Sequence, residues 1–464
     1  MRVARTLIVW AIAAALGGAW WSLRGAVASR GADRSASAPV FADSDEIAVE
    51  SIDHIRLARR GAEVMEFRRA NGRWMQTAPF PIDLDDWSAR QLAQLAASLV
   101  RMHEVPLAES DAKALGFAPP VATLVLEGAG RSWTLEFGKR GVAGRAFARR
   151  VDAPHPGATS ALTASPIMVI EGPLYERTVE ADPREWRSRS LFPDALGRAK
   201  TISWNVGDAK IELGREGDRW QLRSPIKARA DKERVEELVA GIVRTRSDGF
   251  LADAPKDLTT FGLASPAASI SVVFDGDEGS ATRTLKIGGL LGVGTNDRYA
   301  AIDGVASVMR ISAGTQAVLL PRIETLIDPS GSGARPADVK RIEVRPKNSD
   351  AFEFVRDLDR WTASRIVGGV TSPAIAIPSE GPERLLKQLC VDRAPELALG
   401  TFPAAMEVAQ VLLFGFDQRP LDVVRVAKDT KTGKWGFENG DGALRIHPGG
   451  TPVVLLADDF GVPK

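Results

Sequence analysis

The spacing of apolar residues along this chain changes in a repeating rotation. The stretches "EVMEFRR", "KIELGRE" and "AFEFVRD" place apolar residues at alternate positions, the period of a strand with one buried face. Each leads through a turn of Asn, Gly or Asp type to an Arg-Trp pair: Arg73-Trp74, Arg219-Trp220 and Arg360-Trp361. The pattern predicts three hairpins with tryptophan on the returning strand. Asn71-Gly72 is the strongest of the turns, because both residues tolerate the positive φ of a two-residue hairpin loop. Side chains alternate across a strand, so Trp74, Trp220 and Trp361 are expected as core plugs. Arg73, Arg219 and Arg360 then face the other way and offer a ligand or partner surface.

A helical period follows each hairpin. "DDWSARQLAQLAASLVRM" sets Leu92, Leu95, Ala96 and Leu99 on one face, and "DKERVEELVAGIV" does the same with Val235, Leu238, Val239 and Ile242. Asp85 and Asp231, each 11 residues after its tryptophan, stand where N-caps belong. The third helix, "SEGPERLLKQLC", comes later, behind the inserted loop "VGGVTSPAIAIP". Next come Gly116 and Gly262, each 42 residues after its tryptophan, with Pro120 and Pro266 four residues on. Gly permits an unusual backbone angle there and Pro stiffens the entry to the following strand. Matching features at matching offsets imply duplication. The third copy keeps the strands "LDVVRVAK", "KWGFEN", "ALRIH" and "PVVLLA" but has "TFPAAMEVAQVLLFGF" in place of the Gly–Pro turn, as a divergent terminal copy would.

The expected fold is α+β: three tandem modules at 51–195, 196–332 and 333–464, each a mostly antiparallel sheet with one main helix. Ahead of them, Arg2 and Arg5 precede an uncharged run from Thr6 to Leu23 that ends in Trp20-Trp21. This reads as a signal-anchor or transmembrane helix over 1–27, joined by a flexible linker over 28–50. It predicts a single pass through the cytoplasmic membrane with the bulk periplasmic. Ala26–Ser29, "AVAS", fits the small-x-small cleavage rule and keeps a cleaved signal peptide as the alternative.

Charge and chemistry narrow the function. The 60 basic and 59 acidic residues leave a net charge of +1, which gives nucleic acid no field to follow. A single cysteine, Cys390, permits no intrachain disulfide, and His54, His103, His155 and His447 lack metal-ligand spacing. The glycine-rich "IGGLLGVG" runs into a strand, so it reads as a hairpin loop and not a phosphate cradle. No catalytic, cofactor-binding or metal residue emerges, and no cofactor is implied. Trp133, Trp186, Trp204 and Trp435 have no echo in the other copies and are candidates for stacking on a ligand or partner.

A "G-x-W" hairpin, an Asp-led helix and then aromatic-Gly-Leu-x-x-Pro form a combined signature. "FGLASP", Phe261–Pro266, matches its last part closely, and "LGFAPP", Leu115–Pro120, matches with Leu and Phe exchanged. From about Ile52 to Asp328 the chain resembles domain-of-unknown-function family 4340. The resemblance implies a membrane-anchored extracytoplasmic protein, similar to auxiliary components of gliding-motility-type ABC transport systems. It carries over no catalytic residue. The expected role is a non-enzymatic accessory or scaffold protein whose partners are other proteins of a membrane complex. An envelope glycan- or lipid-binding protein is the alternative, and a hydrolase ranks third.

Overall fold

The computed structural model describes residues 38–460 except 43–44, 106–108, 153–162, 165, 193–198, 218, 277–278, 359, 451–452, 454 and 456–459. The expected anchor over 1–27 and the linker's first ten residues lie outside these. Among the described residues no helix is long and apolar enough to cross a membrane.

Three antiparallel sheets, of 11, 9 and 10 strands, carry the chain. The first contains β1 (Ile52–Arg59), β2 (Met65–Ala70), β3 (Arg73–Ala78), β4 (Ile82–Asp83), β5 (Val100–Val105), β6 (Ala122–Gly128), β7 (Arg131–Arg140), β8 (Ala146–Asp152) and β9 (Ile167–Ile170). Helix α1 (Asp86–Ala97) lies between β4 and β5 in sequence. The strand order is β4-β3-β2-β1-β6-β7-β8-β9-β5, with Ala38–Pro39 added along β5 and Thr163–Ala164 along β8.

The second sheet contains β10 (Ala199–Val206), β11 (Ala209–Glu216), β12 (Arg219–Ser224), β13 (Ala228–Arg229), β14 (Gly249–Asp253), β15 (Ala268–Gly276), β16 (Gly279–Leu290), β17 (Arg298–Ile302) and β18 (Ser307–Ile311), with α2 (Lys232–Arg244) after β13. The third contains β19 (Val339–Pro346), β20 (Ala351–Asp357), β21 (Arg360–Val367), β22 (Ile375–Ile377), β23 (Glu396–Leu399), β24 (Glu407–Gly415), β25 (Pro420–Lys428), β26 (Trp435–Glu438) and β27 (Ala443–His447), with α3 (Glu380–Cys390) after β22. Their orders, β13-β12-β11-β10-β15-β16-β17-β18-β14 and β22-β21-β20-β19-β24-β25-β26-β27-β23, repeat the first. The third copy thus diverges in sequence without losing a strand of this common order.

Local chemistry explains the elements. Asn71 and Gly72 take φ of 52° and 79°, the mirror-image turn that suits strand twist. The Asp85 carboxylate accepts from the Trp87 N–H, and Asp231 accepts from the Glu233 and Arg234 N–H groups, so both act as N-caps. Helix α3 begins behind Ser379, whose side chain makes no capping bond. Each helix buries its apolar face: Leu92 and Ala96, Val235 and Ile242, Leu385 and Leu389. Shorter helices, Gly172–Tyr175 and Ala313–Leu319, follow the first two sheets, so in those two copies the main helix is not alone. The chain forms two compact units, Met1–Ser188 and Arg189–Lys464, and the second holds both later sheets.

Candidate functional site

The structure sorts the residues singled out by sequence. Trp74, Trp220 and Trp361 are buried on β3, β12 and β21, and the preceding Arg73, Arg219 and Arg360 are exposed, as strand alternation requires. Trp133 and Trp186 correct the stacking-surface expectation: they are 6% and 1% exposed and present no ring face to a ligand. Trp133 lies on β7 opposite Leu126, and its Nε1–H donates to the Asp45 carbonyl at 2.9 Å. In the second sheet Arg283, opposite Val272, does the same work, donating Nε–H to the Leu191 carbonyl at 2.8 Å. Trp186 packs on Phe67 at 5.5 Å, with the Arg177 guanidinium 5.1 Å over its ring. A tryptophan without an echo is here a core residue whose counterparts are other residue types.

The Gly–Pro turns also prove structural. Gly116 and Gly262 adopt φ of 90° and 66°. A Cβ on Gly262 would lie 2.7 Å from the Gly289 nitrogen. Each turn rests on a second glycine. A Cβ on Gly138 of β7 would overlap the Leu115 carbonyl, and one on Gly288 of β16 would overlap the Phe261 carbonyl. The residue after each turn glycine, Phe117 or Leu263, is buried, while Pro120 and Pro266 are half-buried at the strand entry.

One exposed aromatic escaped the sequence reading. Trp87, on the first turn of α1, is 63% exposed. It sits inside an amphipathic helix pattern, and its counterpart two residues past the cap of α2 is Glu233, so neither periodicity nor repetition marked it.

The most structured polar region lies where the second sheet meets the third. Arg229 on β13 reaches Asp328 at 3.2 Å, the Ser330 carbonyl at 2.9 Å and Asp422 at 3.5 Å. Asp422 also accepts from the Ser332 hydroxyl at 2.8 Å and the Gly333 N–H at 3.1 Å. Arg445, wholly buried on β27, donates to the Asp328 carbonyl at 3.0 Å and pairs with Asp441 at 2.7 Å. Arg393, which follows α3, pairs with Asp231, the cap of α2. Only the Arg445–Asp441 pair is largely buried on both sides, and there loss of one partner costs about 3–5 kcal/mol. Cys390 points into the same region, where burial pushes its thiol up to about 11. It is therefore a poor nucleophile at neutral pH.

Beside the Asp231–Arg393 pair opens a groove of about 1150 Å³. Its walls are α2, the segment from Ala317 to Pro329 and the residues from Arg393 to Leu397. Leu238, Val318, Leu320, Leu326 and Leu397 supply its apolar part. Glu237 pairs with Arg234 at 3.1 Å, Glu324 with Arg322 at 3.8 Å and Glu396 with Lys434 at 2.6 Å. The described residues contain no group of three or more His, Cys, Asp or Glu placed to hold a metal ion.

The model of a family described as a domain of unknown function, DUF4340, matches residues 74–253 and again 220–412. The chain belongs to the DUF4340 family. The two DUF4340 matches begin on Trp74 and Trp220, the hairpin tryptophans of the first two copies. No curated protein matches this DUF4340 chain. A crystal structure of a putative DNA polymerase III beta subunit from Eubacterium rectale ATCC 33656 aligns with 88% of this chain and 93% of its own, at 7% identity and a TM-score of 0.12.

Proposed function

We propose that this DUF4340 protein is a non-enzymatic accessory or scaffold subunit, tethered to the cytoplasmic membrane by its N-terminal segment and displayed on the extracytoplasmic side. Its partners are proteins of a membrane complex. An ABC-type transporter or a surface-motility system is the kind of complex that family resemblance suggests. The observation that carries the reading is the groove of about 1150 Å³ against α2. Small-molecule sites run at about 300–1,000 Å³, are mostly apolar and enclose their ligand. This one is larger and open, with charged pairs along its rim, which suits a polypeptide better than a glycan or lipid. Three of the tryptophans that the glycan reading would stack on, Trp133, Trp186 and Trp204, are core residues.

Photocrosslinking in native membranes tests the proposal. Benzoylphenylalanine at Val318, in the groove, is expected to capture an integral membrane protein; at Val142, exposed in the first unit, it is not. Absence of crosslinks from both sites, together with binding of a labelled glycan by the purified chain, would favour the envelope-binding alternative.

A further inference from the structure

We infer that the groove along α2 receives an extended, largely apolar segment of about six residues from a partner protein, with one carboxylate seated at Arg244. The inference rests on the scaffold reading above and adds the chemistry of the partner. Three observations meet in it.

The first is length. The residues of α2 that line the groove, Arg234, Glu237, Leu238, Gly241 and Arg244, form one face that runs nearly the whole helix. Thirteen residues of helix span about 20 Å at about 1.5 Å each. An extended chain advances about 3.3 Å per residue, so about six residues match that face.

The second is apolar exposure. Val235 and Ile242 of α2 are fully buried, while Leu238 packs against the core on one side and leaves part of its surface in the groove. Val318 in the facing wall is 41% exposed. A Cβ on Gly241 would stand 3.1 Å from Val318 Cγ1, so glycine is what keeps the two walls this close. Glycine inside a helix costs about 0.5–1 kcal/mol relative to alanine, and here that cost accompanies the close approach of Val318 to the helix.

The third is charge. Every acid lining the groove is already matched: Asp231 by Arg393, Glu237 by Arg234, Glu324 by Arg322 and Glu396 by Lys434. Arg234, Arg322 and Arg393 are thereby matched too. Arg244, exposed in the last turn of α2, has no ion-pair or hydrogen-bond partner among the described residues. The groove therefore presents one uncompensated positive charge at one end of an apolar track. A partner segment that complements it carries a Glu or Asp at that end and no other charge.

The probes are two fluorescein-labelled, C-terminally amidated hexapeptides of Leu, Val and Pro, one with glutamate as its last residue and its twin with lysine, titrated into the full chain by fluorescence anisotropy. The glutamate peptide is expected to bind about tenfold more tightly, and R244E should reverse the order. R244A should bring the two affinities together while leaving the melting temperature unchanged. Equal binding of both peptides to the natural chain, no binding of either, or a glutamate preference that survives R244E would overturn the inference. If the Val318 crosslink to a membrane protein persisted in those cases, the scaffold reading would stand and only the partner chemistry would fall. Loss of the crosslink together with retained peptide binding would break the scaffold reading instead.

Discussion

In the second sheet Gly288 lies beneath the carbonyl of Phe261; in the third, the same place in the strand order belongs to Ala427. The match follows from register. Gly288 comes after Ile287, which pairs with Ala268, and Ala427 comes after Val426, which pairs with Ala409. In the second sheet the "FGLASP" turn presses its backbone onto β16, which only glycine tolerates. In the third, the turn is rebuilt as Gly400–Pro403, and Phe402 is buried with the Arg425 guanidinium 4.7 Å over its ring. Phe402 covers the sheet where Leu263 does so in the second copy. The outer faces diverge as freely. Ser203, Ser271 and Thr284 make a hydroxyl row on one, with Ser271 and Thr284 bonded at 2.9 Å. Arg341, Glu343 and Glu353 make a charged row on the other, at 3.1–3.3 Å. One strand order therefore tolerates two turns and two outer faces, because the alternating core residues specify it and the signature motif does not.

Substitutions at this matched pair should separate the two copies most. Gly288→Ala forces a backbone shift and is expected to cost about 1–3 kcal/mol or more, whereas Ala427→Gly should cost about 0.5–1 kcal/mol. Hydrogen exchange resolved by sheet reads both, and equal losses would break the register argument. A smaller contrast lies at the helix caps. Asp231→Ala removes a cap and leaves Arg393 without its acid, so a loss of about 1–2 kcal/mol is expected. Ser379→Ala, where no capping bond exists, should stay within about 0.5 kcal/mol. A cap effect at Ser379 as large as that at Asp231 would contradict the assignment.

The smallest contrast is in acid. Burial lowers the affinity of His447 for a proton below its ordinary value of 6.5, with Asp392 opposing weakly. The unfolded chain then binds that proton first. The stability contributed by neutral His447 is complete above pH 6.5 and is lost as pH falls through its folded value. Exchange in the third sheet should therefore rise below about pH 6.5 relative to the second, which contains no histidine, and His447→Gln should abolish the difference. An unaltered acid response in that variant would place the sensitivity elsewhere.

Much of this was legible in the chain because it is local. Asn71-Gly72, the tryptophans, Asp85 and Asp231, and the Gly116 and Gly262 turns all act within a few residues of themselves. What stayed hidden acts across the fold. Nothing near Gly288 in sequence points to Phe261, and nothing near Asp422 points to Arg229. Trp133 was misread for the same reason: its equivalence to Arg283 is visible only once both are seen donating to the incoming chain. Of the groove, the helix face could be read from its period, but the wall supplied by Arg393 to Leu397 could not.

The short run Ser330–Gly333 reads by composition as a flexible hinge, yet its backbone and hydroxyls are held by Arg229, Asp328 and Asp422. The repeat of the strand order puts a boundary there, but Arg229 and Asp422 tie the chain across it. A truncation at Ser332 would not release a tidy two-copy fragment. It would strip Arg229 of Asp422 and Asp231 of Arg393, and a protease acting on the intact protein should find little purchase at this Gly-Ser stretch. The units in which this protein can be shortened or transplanted are therefore not the units in which its strand order repeats.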